Sequence, residues 1–163
     1  MFERLNTPQE AYNYKLGAAL KMEDETLKIL EDSAKNAQDP QVRQLFEHHH
    51  DETESQIQTL HSVFRSFDWE PDDSPHPAIE GLRAEAKANA KKADDALVDS
   101  ILLQGAVETE HHEIAAYENL IINARAMGNG EAVRLLQQNL EIEQHTLDEV
   151  RRMEEQKAMP ATA

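Results

Sequence analysis

The sequence lacks cysteine altogether and is poor in glycine and proline, with 5 and 6 of them in 163 residues. Without cysteine the chain has no disulfide scaffold, thiol nucleophile, iron–sulfur cluster or cysteine-ligated zinc. The low glycine and proline content excludes a collagen-like or low-complexity chain. Any bound metal must therefore be held by carboxylate and imidazole groups.

Long hydrophobic runs and positive charge are scarce too. No stretch of about 18 apolar residues is present to span a bilayer, and the N-terminus has no apolar signal core, so we expect a soluble, cytoplasmic protein. The 32 acidic residues outnumber the 16 basic ones and give a net charge of -16, which repels nucleic acid and anionic lipid. We therefore expect metal ions as partners, and neither nucleic acid nor a membrane.

What the sequence does contain is a hydrophobic pattern of helical period in four long segments. Thr7-Pro8-Gln9-Glu10 is a capping box with proline in the first turn, Asp39-Pro40 repeats the cap and the proline, and Gly128-Asn129-Gly130 ends the third segment. The predicted helices cover about 8–37, 40–67, 94–127 and 130–157. Three prolines between residues 71 and 77 open a long crossover, followed by a shorter helix at about 78–92.

These elements predict an all-α fold, an antiparallel four-helix bundle with a long crossover that carries a short extra helix. Its length and its 39% of hydrophobic residues predict one domain, residues 1–163, with a core over about 8–157. The two hairpins also resemble each other. An offset of 91 residues maps Glu52 onto Glu143, and an offset of 87 maps Glu23 onto Glu110, which we interpret as a duplicated helical hairpin.

Polar residues interrupt the apolar stripe of every long helix. They are Glu23 in the first helix, His49, Glu52 and Gln56 in the second, Glu110 and Glu113 in the third, and Glu143 in the fourth. One carboxylate of each helix lies about 13 to 15 residues from the nearest hairpin turn, so all four reach the same depth in the bundle. A single glutamate on such a stripe is more often explained by an error in the assumed helical phase, or by a side chain that reaches solvent. Agreement among four helices favours a buried cluster.

Buried carboxylates need compensation, because each costs several kcal/mol unless it is paired. Five converging glutamates and one imidazole suit a pair of divalent cations. The other histidines fit this cluster less well, since His48, His50, His111 and His112 point away from the stripes and His145 faces away from Glu143. Tyr117 is interpreted as plain core.

At these positions the sequence resembles the ferritin-like superfamily, and more closely the YciE/YciF-type bacterial stress proteins. The similarity extends from about Leu16 to Val150, and its most specific part is Glu110-His111-His112-Glu113-Ile114-Ala115-Ala116-Tyr117. It implies a ferritin-like four-helix bundle, a dimer, and a dinuclear site for iron or manganese. The ligands it implies are Glu23, His49, Glu52, Glu110, Glu113 and Glu143.

The chain also departs from the ferritin-like pattern. Such sites commonly carry Glu-x-x-His on two helices, yet Ser55 follows Glu52 and Thr146 follows Glu143 at that spacing. Leu147 stands where many relatives have an acid. The resemblance therefore predicts a site with one imidazole.

Three functions follow from these patterns. The first is a dinuclear iron or manganese protein of the stress response, which handles metal or consumes O₂ or peroxide, with its catalytic residues unassigned. The second is a non-catalytic structural or stress protein whose metal site is inert. The third is an acidic helical adaptor without metal, and the metal content of the purified protein separates it from the first two.

Overall fold

The computed structural model describes residues 4–72 and 74–158, and these form helices and no strand. The five α-helices are α1 (Pro8–Asn36), α2 (Pro40–Ser66), α3 (Pro77–Lys92), α4 (Val98–Ala126) and α5 (Gly130–Lys157). The predicted elements are thereby confirmed, except that the third long helix starts later, after a short 3₁₀ turn at Asp95–Leu97. The tail after Met159 lies outside the described residues.

The caps that the sequence indicated are present. The Thr7 hydroxyl accepts a hydrogen bond from the Glu10 amide at 3.1 Å, and the Glu10 carboxylate accepts one from the Thr7 amide at 3.1 Å. Asp39 accepts from the Gln41 amide at 2.7 Å and caps α2. Each cap satisfies amides that the first helical turn leaves without a partner, so the helix starts are defined by local sequence.

The four long helices form the predicted ferritin-like antiparallel bundle. α1 and α2 make one hairpin, α4 and α5 make the other, α1 packs on α4, and α2 packs on α5. α3 belongs to the long crossover and packs beside α1 and α4. Within the described ranges, no helix is long and apolar enough to cross a membrane.

The crossover is held to α1 at two places. Glu25 on α1 forms an ion pair with Arg83 on α3 at 3.0 Å. It also forms ion pairs with two lysines of its own helix, Lys28 at 2.6 Å and Lys21 at 3.1 Å. The hydrogen bond from Lys28 is the main reason that the Glu25 pKa falls to about 2. Gly17 lets the crossover loop approach, because a Cβ there would lie 2.5 Å from the Asp72 carbonyl oxygen.

The hydrophobic core is split into two clusters. The first cluster, which includes Leu16, Phe64 and Leu136, lies toward the α4–α5 turn. The second cluster, which includes Val42 and Leu103, lies toward the α1–α2 turn. Between them the bundle interior is polar, and this layer holds the site described next.

Candidate metal centre

The middle of the bundle brings together five of the six residues expected to bind metal. They come from all four long helices and are 0–2% exposed: Glu23, His49, Glu110, Glu113 and Glu143. Because α1 runs antiparallel to α4, and α2 to α5, the similar spacing of these residues from the hairpin turns places them in one layer. The layer therefore follows from the helix lengths and the hydrophobic phase that the sequence contains.

Two groups of three ligand residues occupy this layer. His49, Glu110 and Glu143 form one group, and Glu23, Glu113 and Glu143 form the other; within each, one donor atom per residue lies within 4.8 Å of the others. In the first group His49 Nδ1 lies 3.3 Å from Glu110 Oε1, and His49 Nε2 lies 3.5 Å from Glu143 Oε2. Glu143 belongs to both groups, so its carboxylate stands between two adjacent ligand sets.

Neutral side chains fix the orientation of three of these carboxylates. Thr26 donates a hydrogen bond to Glu113 at 2.5 Å, and the Gln56 amide donates one to Glu143 at 2.6 Å. The Tyr117 hydroxyl donates to Glu23. Each bond uses one carboxylate oxygen and leaves the other available.

A second row of hydrogen bonds supports the tyrosine. Asn139 donates to the Tyr117 hydroxyl at 2.9 Å and to the Gln56 carbonyl at 3.1 Å. The structure thus makes Tyr117 a partner of Glu23 as well as a core residue. Thr26 and Asn139 were missed by the sequence analysis, although both lie one helical turn from a ligand, on the same face as Glu23 and Glu143.

Several buried acceptor atoms in the layer have no hydrogen-bond partner within the described part of the chain. Among the ligand residues they are Glu23 Oε2, His49 Nε2, Glu110 Oε2, Glu113 Oε2 and Glu143 Oε2. Buried polar atoms are rarely left unpaired, because losing water without a new partner is costly. Four carboxylate oxygens and an imidazole nitrogen that converge unpaired are the arrangement expected of a cation site.

The acids also perturb one another. Burial raises the pKa of Glu23, Glu110 and Glu113 well above the ordinary carboxyl value, and the charge of Glu143 raises all three further. Burial likewise raises the pKa of Tyr117, with the charge of Glu23 adding to the effect. A positive charge in the layer would remove this conflict.

Glu52 is the predicted ligand that lies in neither group. Its side chain is 25% exposed, lies 3.6 Å from His48 Nε2, and accepts a hydrogen bond from Thr146 at 3.3 Å. Gln56 donates a hydrogen bond to Glu143. At the offset of 91 residues, the position on α5 that corresponds to Gln56 is Leu147, which has no side-chain donor. Glu52 therefore lies at the rim of the layer, on the α2–α5 side.

The remaining histidines lie outside the layer. His48 and His145 are exposed, each 3.6 Å from a glutamate four residues along its helix. His111 is exposed and accepts a hydrogen bond from Arg151. His112 turns toward His76 on the crossover, and their Nε2 atoms are 2.9 Å apart.

The donor set fits a hard or borderline metal ion. Carboxylates with one imidazole suit iron and manganese by ligand type, and the absence of thiolate argues against soft ions. Two ligand groups that share one carboxylate have the composition expected of a dinuclear site. The residues present therefore fit the metal pair that the resemblance implies.

Comparison with known proteins agrees with the fold and with the resemblance. Protein YciF of Escherichia coli (strain K12) is 28% identical over 144 residues, which cover 87% of each chain. The crystal structure of the E. coli stress protein YciF superposes with a TM-score of 0.88 at 25% identity, over 94% of this chain and 98% of that one. The structure of YcfI from Rhodopseudomonas palustris gives a TM-score of 0.89 at 29% identity, over 93% of this chain and 97% of the other.

A structure from Xanthomonas campestris pv. campestris is similar in fold alone, with 19% identity and a TM-score of 0.71 over 91% of this chain and 92% of that one. The matches to E. coli YciF in sequence and in structure confirm the resemblance to the YciE/YciF-type proteins. The family model described as "Domain of unknown function (DUF892)" matches residues 7–162. The chain belongs to the DUF892 family.

Proposed function

We propose that the buried layer binds two ions of iron or manganese, and that the protein serves the stress response by handling metal or consuming O₂ or peroxide. The observation that carries this proposal is the set of unpaired acceptor atoms in two ligand groups joined by Glu143. Glu110 and His49 would hold one ion and Glu23 and Glu113 the other, with Glu143 shared. Glu52 would complete the site from the rim.

The charges support two cations. Five glutamates would be offset by two divalent ions to within about one unit of charge, so the layer would be close to neutral. When bound, two redox-active ions supply electrons to an oxidant such as O₂ or peroxide. The residues around them keep the carboxylates in place: Thr26 holds Glu113, Gln56 holds Glu143, and Tyr117 holds Glu23.

The role in stress is inferred from a relative. The E. coli relative is described as a stress protein, and we extend that description to this chain because the similarity covers nearly its whole length. A homodimer and a cytoplasmic location, which the sequence analysis predicted, belong to the same proposal.

The metal content of protein purified without chelator tests the proposal. We expect about two ions of iron or manganese per chain, and the loss of most of both in Glu143→Ala, because this residue serves both groups. Glu141→Ala, an exposed position on the same helix, is the matched control and should keep its metal. The assignment would be refuted if wild-type protein held no metal after loading with Fe(II) or Mn(II), or if Glu143→Ala kept full metal occupancy.

An inert site is the second candidate. The R. palustris relative carries the description of a proposed structural protein, and Leu147 removes one acid from the expected ligand set. The two candidates differ in reactivity. Oxidant chemistry is supported if the absorption of a metal-loaded, reduced sample changes on addition of O₂ or peroxide, and if this change is smaller in Glu113→Ala. An unchanged spectrum supports the structural role.

A further inference from the structure

A cavity of about 690 Å³ lies between α1, α4 and the crossover, apart from the metal-binding layer. Its walls are the N-terminal half of α1, the crossover segment around His76, and one face of α4. None of the proposed metal ligands lines it. Its volume falls in the range of small-molecule sites, which is about 300 to 1,000 Å³.

Among the described residues, the lining of this cavity includes no acid, although the chain has 32 of them. The one lysine or arginine among these lining residues is Lys15, which is exposed. The residues three and four positions away along α1 are Ala11, Tyr12, Ala18 and Ala19. None of them is acidic, so no helical neighbour at this spacing neutralises Lys15. In a protein of net charge -16, this is a place where an anionic group meets positive rather than negative charge.

Two imidazole rings form one wall. His76 Nδ1 lies 2.8 Å from the Ala18 carbonyl oxygen, so this nitrogen carries the proton and Nε2 is an acceptor. His112 Nε2–H then donates to His76 Nε2, 2.9 Å away. The rings, with centroids 4.9 Å apart, present fixed aromatic surface.

Tyr12 also lines the cavity, with a side chain that is 3% exposed. The rest of the walls is largely alanine and proline, which leaves room for a flat body.

We propose that this cavity binds a small aromatic carboxylate or sulfonate, whose anionic group pairs with Lys15 and whose ring lies between the alanines and the two imidazoles. This site is separate from the metal centre and does not depend on its occupancy.

Calorimetric titration with 1-naphthoate tests the proposal against its cationic analogue, 1-naphthylmethylammonium. We expect one naphthoate per chain, and we expect the cation to bind at least about tenfold more weakly, although the net charge of -16 attracts cations to the protein as a whole. Lys15→Glu should weaken naphthoate about tenfold. Lys35→Glu makes the same charge change on an exposed part of α1 outside the cavity, and should leave the affinity unchanged.

Ala115→Trp provides a second variant, because Ala115 is exposed at the cavity and a large side chain there fills it without disturbing the core. It should abolish naphthoate binding in a protein with an unchanged melting temperature. Protein stripped of metal should bind naphthoate as the loaded protein does, so this result is independent of the metal assay. Equal affinity for the two analogues, no saturable binding, or a dimer that Ala115→Trp dissociates would overturn the proposal.

Discussion

At the scale of single residues, the proposed metal site depends on neutral side chains as much as on its ligands. Gln56 is fully buried, and its side-chain amide donates a hydrogen bond to the Glu143 carboxylate. Side chains that orient ligands in this way typically contribute about 10- to 100-fold to metal affinity. Gln56 is therefore the residue through which the shared ligand can be perturbed without removing it.

We predict that Gln56→Leu weakens metal binding about 10- to 100-fold, because Glu143 loses the donor that holds it between the two ligand groups. Competition against a metal indicator of known affinity measures the change. Gln58→Leu removes the same group from an exposed position on α2 and should bind metal as the wild type does. Equal affinities in the two variants would show that Gln56 has no part in the site.

The metal-free protein should lose stability as pH rises. The pKa values of Glu23, Glu110 and Glu113 are raised in the folded chain. These side chains therefore stay protonated at pH values where the unfolded chain has already released their protons. The stabilising effect of that protonation is complete below the ordinary carboxyl pKa and is lost as pH rises through the folded values. Chemical denaturation between about pH 5.5 and about pH 8 measures the decrease.

A paired set of variants separates the buried acids from surface charge. Glu23→Gln with Glu110→Gln should flatten this pH dependence and raise the metal-free melting temperature at about pH 8, while lowering the melting temperature of metal-loaded protein. Glu118→Gln with Glu141→Gln removes the same charge from exposed positions. If this surface pair flattens the dependence equally, general repulsion and not a buried cluster is the cause.

Much of the layer was predictable from the sequence, since helical phase and distance from the turns identified Glu23, His49, Glu110, Glu113 and Glu143. The rim position of Glu52 was not predictable in this way. It depends on which donor faces each acid across the α2–α5 contact, and helical period carries no information on that pairing. Thr26 and Asn139 were missed because short polar residues on a stripe are common in cores and carry no charge to draw notice.

At the scale of elements, α3 is the helix with the weakest attachment to the bundle. Ile79 is its only buried residue. The partly buried Leu82 and Ala90 pack against the two core clusters, and Arg83 forms ion pairs with Glu25 and Asp32 on α1. The prolines before residue 78 predicted where this helix begins, because their effect on the backbone is local, whereas its N-cap residue His76 makes no side-chain capping bond. The 3₁₀ turn that follows it was not predicted, since Asp94 has no side-chain capping bond and the start of α4 depends on contacts with the α1–α2 turn.

We predict that Ile79→Ala releases α3 before the rest of the protein unfolds, because a buried isoleucine truncated to alanine costs about 2 to 5 kcal/mol. Limited proteolysis under native conditions should then cut within residues 77–97 at least about tenfold faster than in wild type. Lys87→Ala, exposed on the same helix, should leave the rate unchanged. Cleavage that begins elsewhere in the described chain would show that α3 is not the first element to open.

At the scale of the whole molecule, charge is distributed unevenly. Acids are abundant in the chain and in the central layer, whereas the described residues that line the cavity beside Lys15 include none. The proposed cation site and the proposed site for an organic anion are therefore separate. This division was not visible in the composition, because a net charge gives no information on where the exceptions lie.

The division of the core into two clusters has a consequence for the order in which backbone amides exchange with solvent. Each cluster is a packed unit of buried apolar side chains, while the acidic layer between them contributes little cohesion when no cation neutralises it. Cooperative units of a fold open separately when the contacts between them are weak. In metal-free protein, amides near Glu110 and Glu143 should therefore exchange deuterium faster than those near Leu103 or Leu136, and metal binding should merge the two clusters into one slowly exchanging unit.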